Sequence, residues 1–330
     1  MQQANRVLEL LYDRRGQYIS LDELALMAEL SIEQLDNVCR QLKQRGQQLD
    51  RRTPTGIALC RPIRLDGHLI ERNLGTKRVA KHVICFEEVD STNDIAFSSA
   101  QQDGANGLVV LAEYQRRGRG RMARKWLASP RANIMMSLLL AEAAADIRAG
   151  SGWVASGSAL TIAAGLAVAE GIESVCGVEA QLKWPNDVVL SGRKVAGILV
   201  ELRRVGKVNA AVVGLGVNVN AAPEGVTLRH PATSLAAETG CEVERTEVVR
   251  AILRRLDDWV DRILAEKLEG LHDAWISRCS MLGERITVMC NGRRHVGRAL
   301  DVKPLEGLVL QPDQGPRFSL PAEGCSLLDD

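Results

Sequence analysis

The chain contains no CxxC motif, and no Cys/His cluster in it has zinc spacing. Its eight cysteines, Cys39, Cys60, Cys85, Cys176, Cys241, Cys279, Cys290 and Cys325, are scattered. That scatter predicts buried thiols in a reducing compartment rather than a secreted disulfide framework. No signal-like apolar stretch precedes residue 30. Long hydrophobic runs are also lacking: MMSLLLAEAAA, from Met135, is the most apolar window and is too short to span a bilayer. The expected location is the cytoplasm. GxxxxGK[ST] is missing, so a nucleotide site would not be a P-loop. GLGVNVN (Gly214–Asn220) starts like a dinucleotide fingerprint but lacks the third glycine and a following helix pattern. There is no Ser/His/Asp constellation, and the five histidines form no metal triad. Charge of one sign is not in excess either. Lys plus Arg is 42 against 41 for Asp plus Glu, so nothing global suggests nucleic acid or membrane.

What is present divides into segments. At 330 residues there is room for two or three domains. RVLELLYDRR carries Val7, Leu8, Leu11 and Tyr12 at helical spacing. LDELALMAELSIEQLDNVCRQLKQRG reads as two helices meeting at Leu30-Ser31, with Ser31 as cap of the second and Gly46 as its end. Two short strands around Thr-Pro-Thr-Gly follow. Three helices and a hairpin describe a winged helix-turn-helix over residues 1–62, or else a helical cap with no nucleic-acid role. Residues 63–80 are polar and mixed and read as a linker. From 81 to 276 strands and helices alternate, with Ser191-Gly192 as a hairpin turn. Val248, Val249, Ile252, Leu256, Trp259, Val260 and Ile263 form one helical stripe. Most strand links are too short for helical crossovers, so the sheet should be antiparallel or mixed. Residues 277–330 hold short strands between Gly, Asn and Pro turns, which suits a small SH3-like β-barrel. The fold class is therefore α+β.

Two dense clusters stand out against the neutral background. YQRRGRGRMARKW (Tyr114–Trp126) holds five arginines, one lysine, two glycines and no acid. Glycine lets the backbone approach a ligand, and Arg119 and Arg121 are spaced to reach one carboxylate or phosphate. A solvated basic turn or a nucleic-acid patch is the plainer reading. Gln115 and Trp126, which bracket the run, would then be idle; they suit a site that recognises a neutral polar group and a flat ring. KWPNDVVLSGRKVAGILVEL places Lys183 at a strand end, Asn186-Asp187 at a turn and Lys194 inside an apolar strand. There a lysine either meets an anion or snorkels to solvent. Asn218 could pair with an adenine edge or simply end a strand.

Together, DSTN (Asp90–Asn93), AEYQRRGRGRMARKW, KWPNDV, GRKVAGILVEL and GLGVNVN resemble the motifs of biotin–protein ligases in order and spacing. The whole chain resembles the bifunctional kind, a biotin–[biotin carboxyl carrier protein] ligase that also represses the biotin operon through an N-terminal winged helix. The resemblance implies a central catalytic domain with the mixed sheet of biotin/lipoate ligases. It also implies a reaction in which biotin, ATP and magnesium give biotinyl-5′-AMP, which acylates a lysine of biotin carboxyl carrier protein. By the same resemblance Ser91, Thr92, Asn93 and Gln115 surround the biotin head, and Arg119, Gly120 and Arg121 cover carboxylate and phosphate. Lys194 bridges biotin carboxylate and adenylate phosphate, and Lys183 adds cationic screening. Arg124, Trp126 and Asn218 hold the adenylate, and Asp187 orients the incoming amine. No side-chain motif for a metal accompanies them. The family loop usually reads GRGRRGR; here Met122 and Ala123 replace an arginine and a glycine. On DNA, Arg40, Lys43, Arg45, Arg51 and Arg52 would make phosphate contacts, with the chain as an adenylate-promoted homodimer. Residues 1–60 hold eight Lys/Arg against eight Asp/Glu, a poor electrostatic basis for DNA binding. The alternatives are a ligase with a non-DNA-binding N-terminal module, a lipoate or octanoyl transferase of similar fold, and a biotin-sensing regulator without catalysis.

Overall fold

The computed structural model describes residues 2–143, 157–223, 231–265 and 267–328. The last residues of the MMSLLLAEAAA window lie outside them; its described part is strand, not helix.

Near the N-terminus, α1 (Gln2–Asp13), α2 (Leu21–Ala28) and α3 (Ile32–Gln44) precede a hairpin of β1 (Leu49–Arg52) and β2 (Gly56–Leu59). Ser31 caps α3 through a reciprocal capping box with Gln34. Val7, Leu8, Leu11, Leu24, Leu35 and Leu42 pack into a core of their own.

The segment expected as a linker is folded. Ile63, Leu65, Leu69, Ile70, Leu74 and Val79 are buried, and Asp66 caps a short helix, α4 (Gly67–Glu71). The physical reason is in RPIRLDGHLIERNLG itself: its apolar residues occur singly or in pairs among charges, a pattern that hides a packed segment. A buried ion pair fixes it. Arg245 Nη1 lies 2.6 Å from Glu113 Oε2, both side chains 2 % exposed. Arg245 Nη2 donates to the Ile63 carbonyl, and Glu113 accepts from the Leu65 amide. Burying two charges is tolerable only when their remaining bonds are met, as here. Tyr12 reaches Glu247 at 2.9 Å, and Arg72 bonds Asp13, so α1 also docks on this segment and on the helix Arg245–Leu264.

The central sheet has seven strands in the order β3-β4-β5-β9-β8-β7-β6. These are β3 (His82–Val89), β4 (Leu108–Gln115), β5 (Ile134–Ala143), β6 (Gln181–Lys183), β7 (Asp187–Leu190), β8 (Arg193–Val205) and β9 (Val208–Val217). Only β3 and β4 are parallel, joined through α5 (Thr92–Ser99); the other pairs are antiparallel, giving the mixed sheet expected. Ser191 and Gly192 turn β7 into β8 with φ of 50° and 73°, the sign a two-residue hairpin turn requires. One face is covered by α6 (Gly157–Cys176) and α8 (Arg245–Leu264), with the short α7 (Leu235–Thr239) at the end of the layer. α6 is long and apolar enough to cross a membrane by composition alone, but it is mostly buried and packs on α8 and β8, as a core helix does. The whole stripe from Val248 to Ile263 is buried.

After α9 (Glu269–Ile276), five strands form a second sheet, β13-β12-β11-β10-β14, all antiparallel. They are β10 (Arg285–Cys290), β11 (Arg293–Lys303), β12 (Gly307–Gln311), β13 (Phe318–Leu320) and β14 (Cys325–Leu328). Here the expectation of buried thiols needs correcting: among the free cysteines Cys39 is buried, Cys60, Cys85, Cys176 and Cys279 are partly buried and Cys241 is exposed, and one further pair is not free at all. Cys290 and Cys325 are directly opposed on β10 and β14 and are joined as a disulfide. They are 35 residues apart in sequence, so only the register brings them together.

Candidate functional site

A cavity of about 370 Å³ opens where β8 and β9 meet the Tyr114–Trp126 run and β14. Its size fits a small-molecule site. Among the described residues, six basic side chains line it (Arg119, Arg121, Arg124, Lys125, Lys183 and Lys194) against one acid, Asp187.

The basic run is not an open loop. It folds as a hairpin, with Trp126 N donating to Gly118 O, a bridge between Arg119 and Lys125, and Gly120 N donating to Arg124 O. At the tip Arg124 N bonds Arg121 O. Met122 and Ala123 therefore occupy the two central turn positions, with φ of 54° and 56°. Left-handed backbone costs a side-chain-bearing residue about 1–2 kcal/mol, and glycine little.

Glycines on the sheet make room for the hairpin. Gly216 and Gly197 are opposite each other on β9 and β8 beneath the Trp126 indole. A Cβ at Gly216 would lie 2.3 Å from that ring, and one at Gly197 3.1 Å. Gly214 gives the same clearance to Asn93, whose Oδ1 would sit 2.5 Å from an added Cβ. The glycines that resemble a dinucleotide fingerprint are thus a floor for side chains on a strand.

At one end polar groups form a chain. The Thr92 amide donates to Gln115 Oε1 at 2.7 Å, and Thr92 Oγ1 lies 3.0 Å from the same oxygen. Ser137 Oγ lies 2.7 Å from Thr92 Oγ1 and 2.5 Å from Asn93 Oδ1. Asn93 Nδ2 donates to Glu201 Oε2 at 2.7 Å. Ser91 also lines this end, together with the apolar Met136 and Leu215.

Lys194 does not snorkel to solvent. Its Nζ lies 2.6 Å from Asp187 Oδ1 and 5.6 Å from the centre of the Trp126 ring. Lys183 and Asp187 are register partners on β6 and β7, so three charged groups of two motifs converge. Arg119 is held by two carboxylates, Asp94 and Glu201. Arg121 is largely buried and donates to the carbonyls of Ala322 and Cys325, the latter at 3.1 Å. Burial pulls its guanidinium below the ordinary arginine value, with Asp187 acting the other way. Gly120 lines the cavity, and Arg124 is exposed at the hairpin tip.

At the other end two buried polar atoms have no hydrogen-bond partner among the described residues: Trp126 Nε1, a donor, and Asn218 Oδ1, an acceptor. Asn218 does follow the end of β9, and its Nδ2 donates to the Thr233 carbonyl, which aims the free oxygen. Unmet buried polar atoms are costly, and native proteins keep few of them.

All thirteen residues expected around ligands line this one cavity. Arg40, Lys43, Arg45, Arg51 and Arg52 do not; they lie on or just after α3 and on β1. Sequence reading missed Asp94, Ser137, Glu201 and the β14 wall, and gave Asn186 a turn position but no site role. Ser137 carried a signal, as a lone hydroxyl within the apolar run MMSLLL. The contribution of β14 carried none, because it arises from docking of the second sheet.

The Biotin/lipoate A/B protein ligase family model matches residues 85–218. The biotin–[acetyl-CoA-carboxylase] ligase of Mycobacterium tuberculosis is 34% identical over 242 residues, 72% of this chain and 85% of that one. The bifunctional ligase/repressor BirA of Bacillus subtilis is 28% identical over 279 residues, 83% of each. Among solved structures, biotin protein ligase from Aquifex aeolicus in complex with biotin and ATP is 26% identical with a TM-score of 0.64, covering 76% of this chain and 100% of that one. Fold, site and relatives define a ligase of the biotin/lipoate class, and within that class the chain belongs to the biotin–protein ligase family.

Proposed function

We propose that this enzyme activates biotin with ATP and transfers it to one lysine of a biotin carboxyl carrier protein. The observation that carries the reading is the cavity's polarity. A neutral polar end at Thr92 and Gln115 is joined to a cationic end, where Trp126 Nε1 and Asn218 Oδ1 await partners. In the first step a biotin carboxylate oxygen attacks the α-phosphorus of ATP, and pyrophosphate leaves with the electrons of the broken P–O bond. Two anions must approach, and preorganised cations offset the repulsion. Lys194 and Arg121 meet carboxylate and phosphate; Arg119, Gly120 and Lys183 complete the screen; Arg124, Trp126 and Asn218 hold the adenine nucleotide. Ser91, Thr92, Asn93 and Gln115 set the biotin head. In the second step a lysine amine attacks the acyl carbon, AMP departs, and the amine proton passes to a base. Asp187, 2.6 Å from Lys194, is placed to orient that amine. No cluster of metal-ligating side chains exists among the described residues, so magnesium would enter bound to nucleotide phosphates, as hard cations commonly do.

Four units follow under the same reading: residues 1–62 a winged helix-turn-helix, 63–80 a connector, 81–276 the catalytic domain, and 277–330 an SH3-like barrel. Three helices, the second and third capped by Ser20 and Ser31, with a β1–β2 hairpin, and relatives named as ligase/repressors that match most of the chain, support a DNA-binding repressor of biotin synthesis genes acting as an adenylate-promoted dimer in the cytoplasm. The test of the enzyme is mass spectrometry of a carrier domain after incubation with biotin, ATP, magnesium and this protein. A gain of one biotinyl group supports transfer; an unchanged mass with biotin, but a gain with lipoate, reassigns the acid.

A further inference from the structure

The Arg119 guanidinium is gripped from two sides by elements distant in sequence. Nη1 and Nη2 lie 2.6 and 2.8 Å from the two oxygens of Asp94, and Nη2 lies 3.2 Å from Glu201 Oε2. Asp94 stands in the first turn of α5, beside Thr92 and Asn93; Glu201 stands on β8. A bidentate carboxylate fixes the guanidinium plane as well as its position. Arg119 belongs to the stem of the basic hairpin through its bridge to Lys125, so fixing its head fixes the stem.

Resting on the ligase reading above, we propose that Asp94 and Glu201 are positioning residues that hold Arg119, and through it the basic hairpin, over the ligand cavity. Arg119 and Arg121 then divide the work. Two carboxylates partly offset the charge of Arg119, which contributes to the screen chiefly by holding the hairpin, whereas Arg121 is bonded to carbonyls and turns more of its charge to a ligand anion. Glu201 also ties the latch to the polar end. Its Oε2 accepts from Asn93, which bonds Ser137, which bonds Thr92 beside Gln115. A ligand head that orders Thr92 and Gln115 therefore orders the same chain of bonds that holds the hairpin shut. The carboxyls are suited to the task. Arg119 holds Asp94 below the ordinary carboxylate range. Burial works to raise Glu201, but bonds from Asn93, Arg203 and Arg119 outweigh it and leave that carboxyl below its usual value too.

Two readouts on the full chain test this. In the ligand-free protein, trypsin should cut within the Arg/Lys-rich hairpin faster in Asp94→Asn than in wild type, by roughly fivefold, since loss of one charge-assisted pair frees the stem. With adenylate formed in place, its dissociation should quicken by about tenfold in Asp94→Asn and in Glu201→Gln, with KM for biotin raised more than kcat is lowered. Asp94→Glu should restore most of the loss. In an Arg119→Gln background, Asp94→Asn should add less than about twofold, because the residue acts through Arg119. Wild-type trypsin sensitivity in Asp94→Asn, or the same fold-change in both backgrounds, overturns the proposal. Failure of the wild-type protein to form any adenylate overturns the ligase reading instead, and the trypsin comparison still decides the latch.

Discussion

Arginines of the basic hairpin and arginines of the N-terminal helices are chemically identical and differ in what faces them. In the hairpin, Arg119 and Arg121 are held by groups from α5, β8 and β14, between 25 and 204 residues away, and they border a cavity with a single acid in its wall. In the N-terminal module Arg51 and Arg52 on β1, and Arg40 on α3, have exposed partners close in sequence: Arg51 with Asp36 at 2.8 Å, Arg52 with Asp50 at 2.9 Å, and Arg40 with Asn37. Arg45 differs, donating from the end of α3 to the part-buried Asn5 on α1. Exposed ion pairs such as those of Arg51 and Arg52 are worth about 0–1 kcal/mol and open readily. The difference teaches that a cation's role depends on the electrostatic environment around it. Carbonyl dipoles and burial keep the charge of Arg121 directed at the cavity, while water and neighbouring acids screen Arg51 and Arg52.

The largest effect is expected where the two regions join. Arg245 and Glu113 are both 2 % exposed, and the pair also binds the backbone of residues 63 and 65. Arg245→Met strands the Glu113 carboxylate and should cost about 3–5 kcal/mol of stability, read by chemical denaturation. A loss below about 1 kcal/mol would mean that water reaches the pair. Next in size is Lys194→Ala, which should slow pyrophosphate exchange about 10²–10³-fold and change biotin affinity much less, because phosphate charge develops in the transition state. Exchange within a few-fold of wild type would remove Lys194 from the catalytic set and erase the contrast with the module's cations.

Much of the site was readable because its motifs are contiguous. Trp126 stands out by its place beside the basic run, while the residues alone leave Lys194 and Asn218 open and the family resemblance of their motifs assigns them; all three line the cavity. The mixed sheet followed from link lengths, and the Ser191-Gly192 turn from its residues. What was not readable depends on distant pairing. Asp94 and Glu201 look like ordinary acids until the fold sets both on Arg119. The 63–80 segment looked like a linker because its buried residues are mixed with charges, and the groups on α8 that fix its backbone are remote in sequence: Arg250 donates to the Leu69 and Ile70 carbonyls, and Asp257 accepts from the amides of Lys77, Arg78 and Val79. Cys290 and Cys325 meet only through β-sheet register.

A smaller effect should appear at the hairpin tip. Ala123 holds φ of 56° where glycine would be unstrained. Ala123→Gly should favour the closed turn by about 1 kcal/mol, less the extra entropy glycine brings to the open state. Adenylate release should slow by a few-fold at most. Faster release would mean that the strained turn itself is part of retention, and that Met122 and Ala123 are tuned residues rather than tolerated ones.

The smallest effect on the enzyme is expected from Arg51→Gln. Its pair with Asp36 is exposed on both sides, so stability should change by less than about 1 kcal/mol. Ligase turnover should stay at wild type, since Arg51 is remote from the cavity lining. Binding to DNA is where the change should show. If Arg51 leaves Asp36 for a phosphate, the slope of log affinity against log salt should fall by about one unit per module, and affinity should drop evenly across sequences. The measurement is a mobility shift on DNA upstream of biotin synthesis genes, with biotinyl-AMP present, over a range of salt. An unchanged slope would show that Arg51 remains paired to Asp36 on DNA and that other cations of the module make the contacts. No adenylate-dependent shift in the wild-type chain, even at low salt, would break the comparison at its other side: the module's arginines would then serve its own surface, and the cations that work on a ligand would all lie at the cavity.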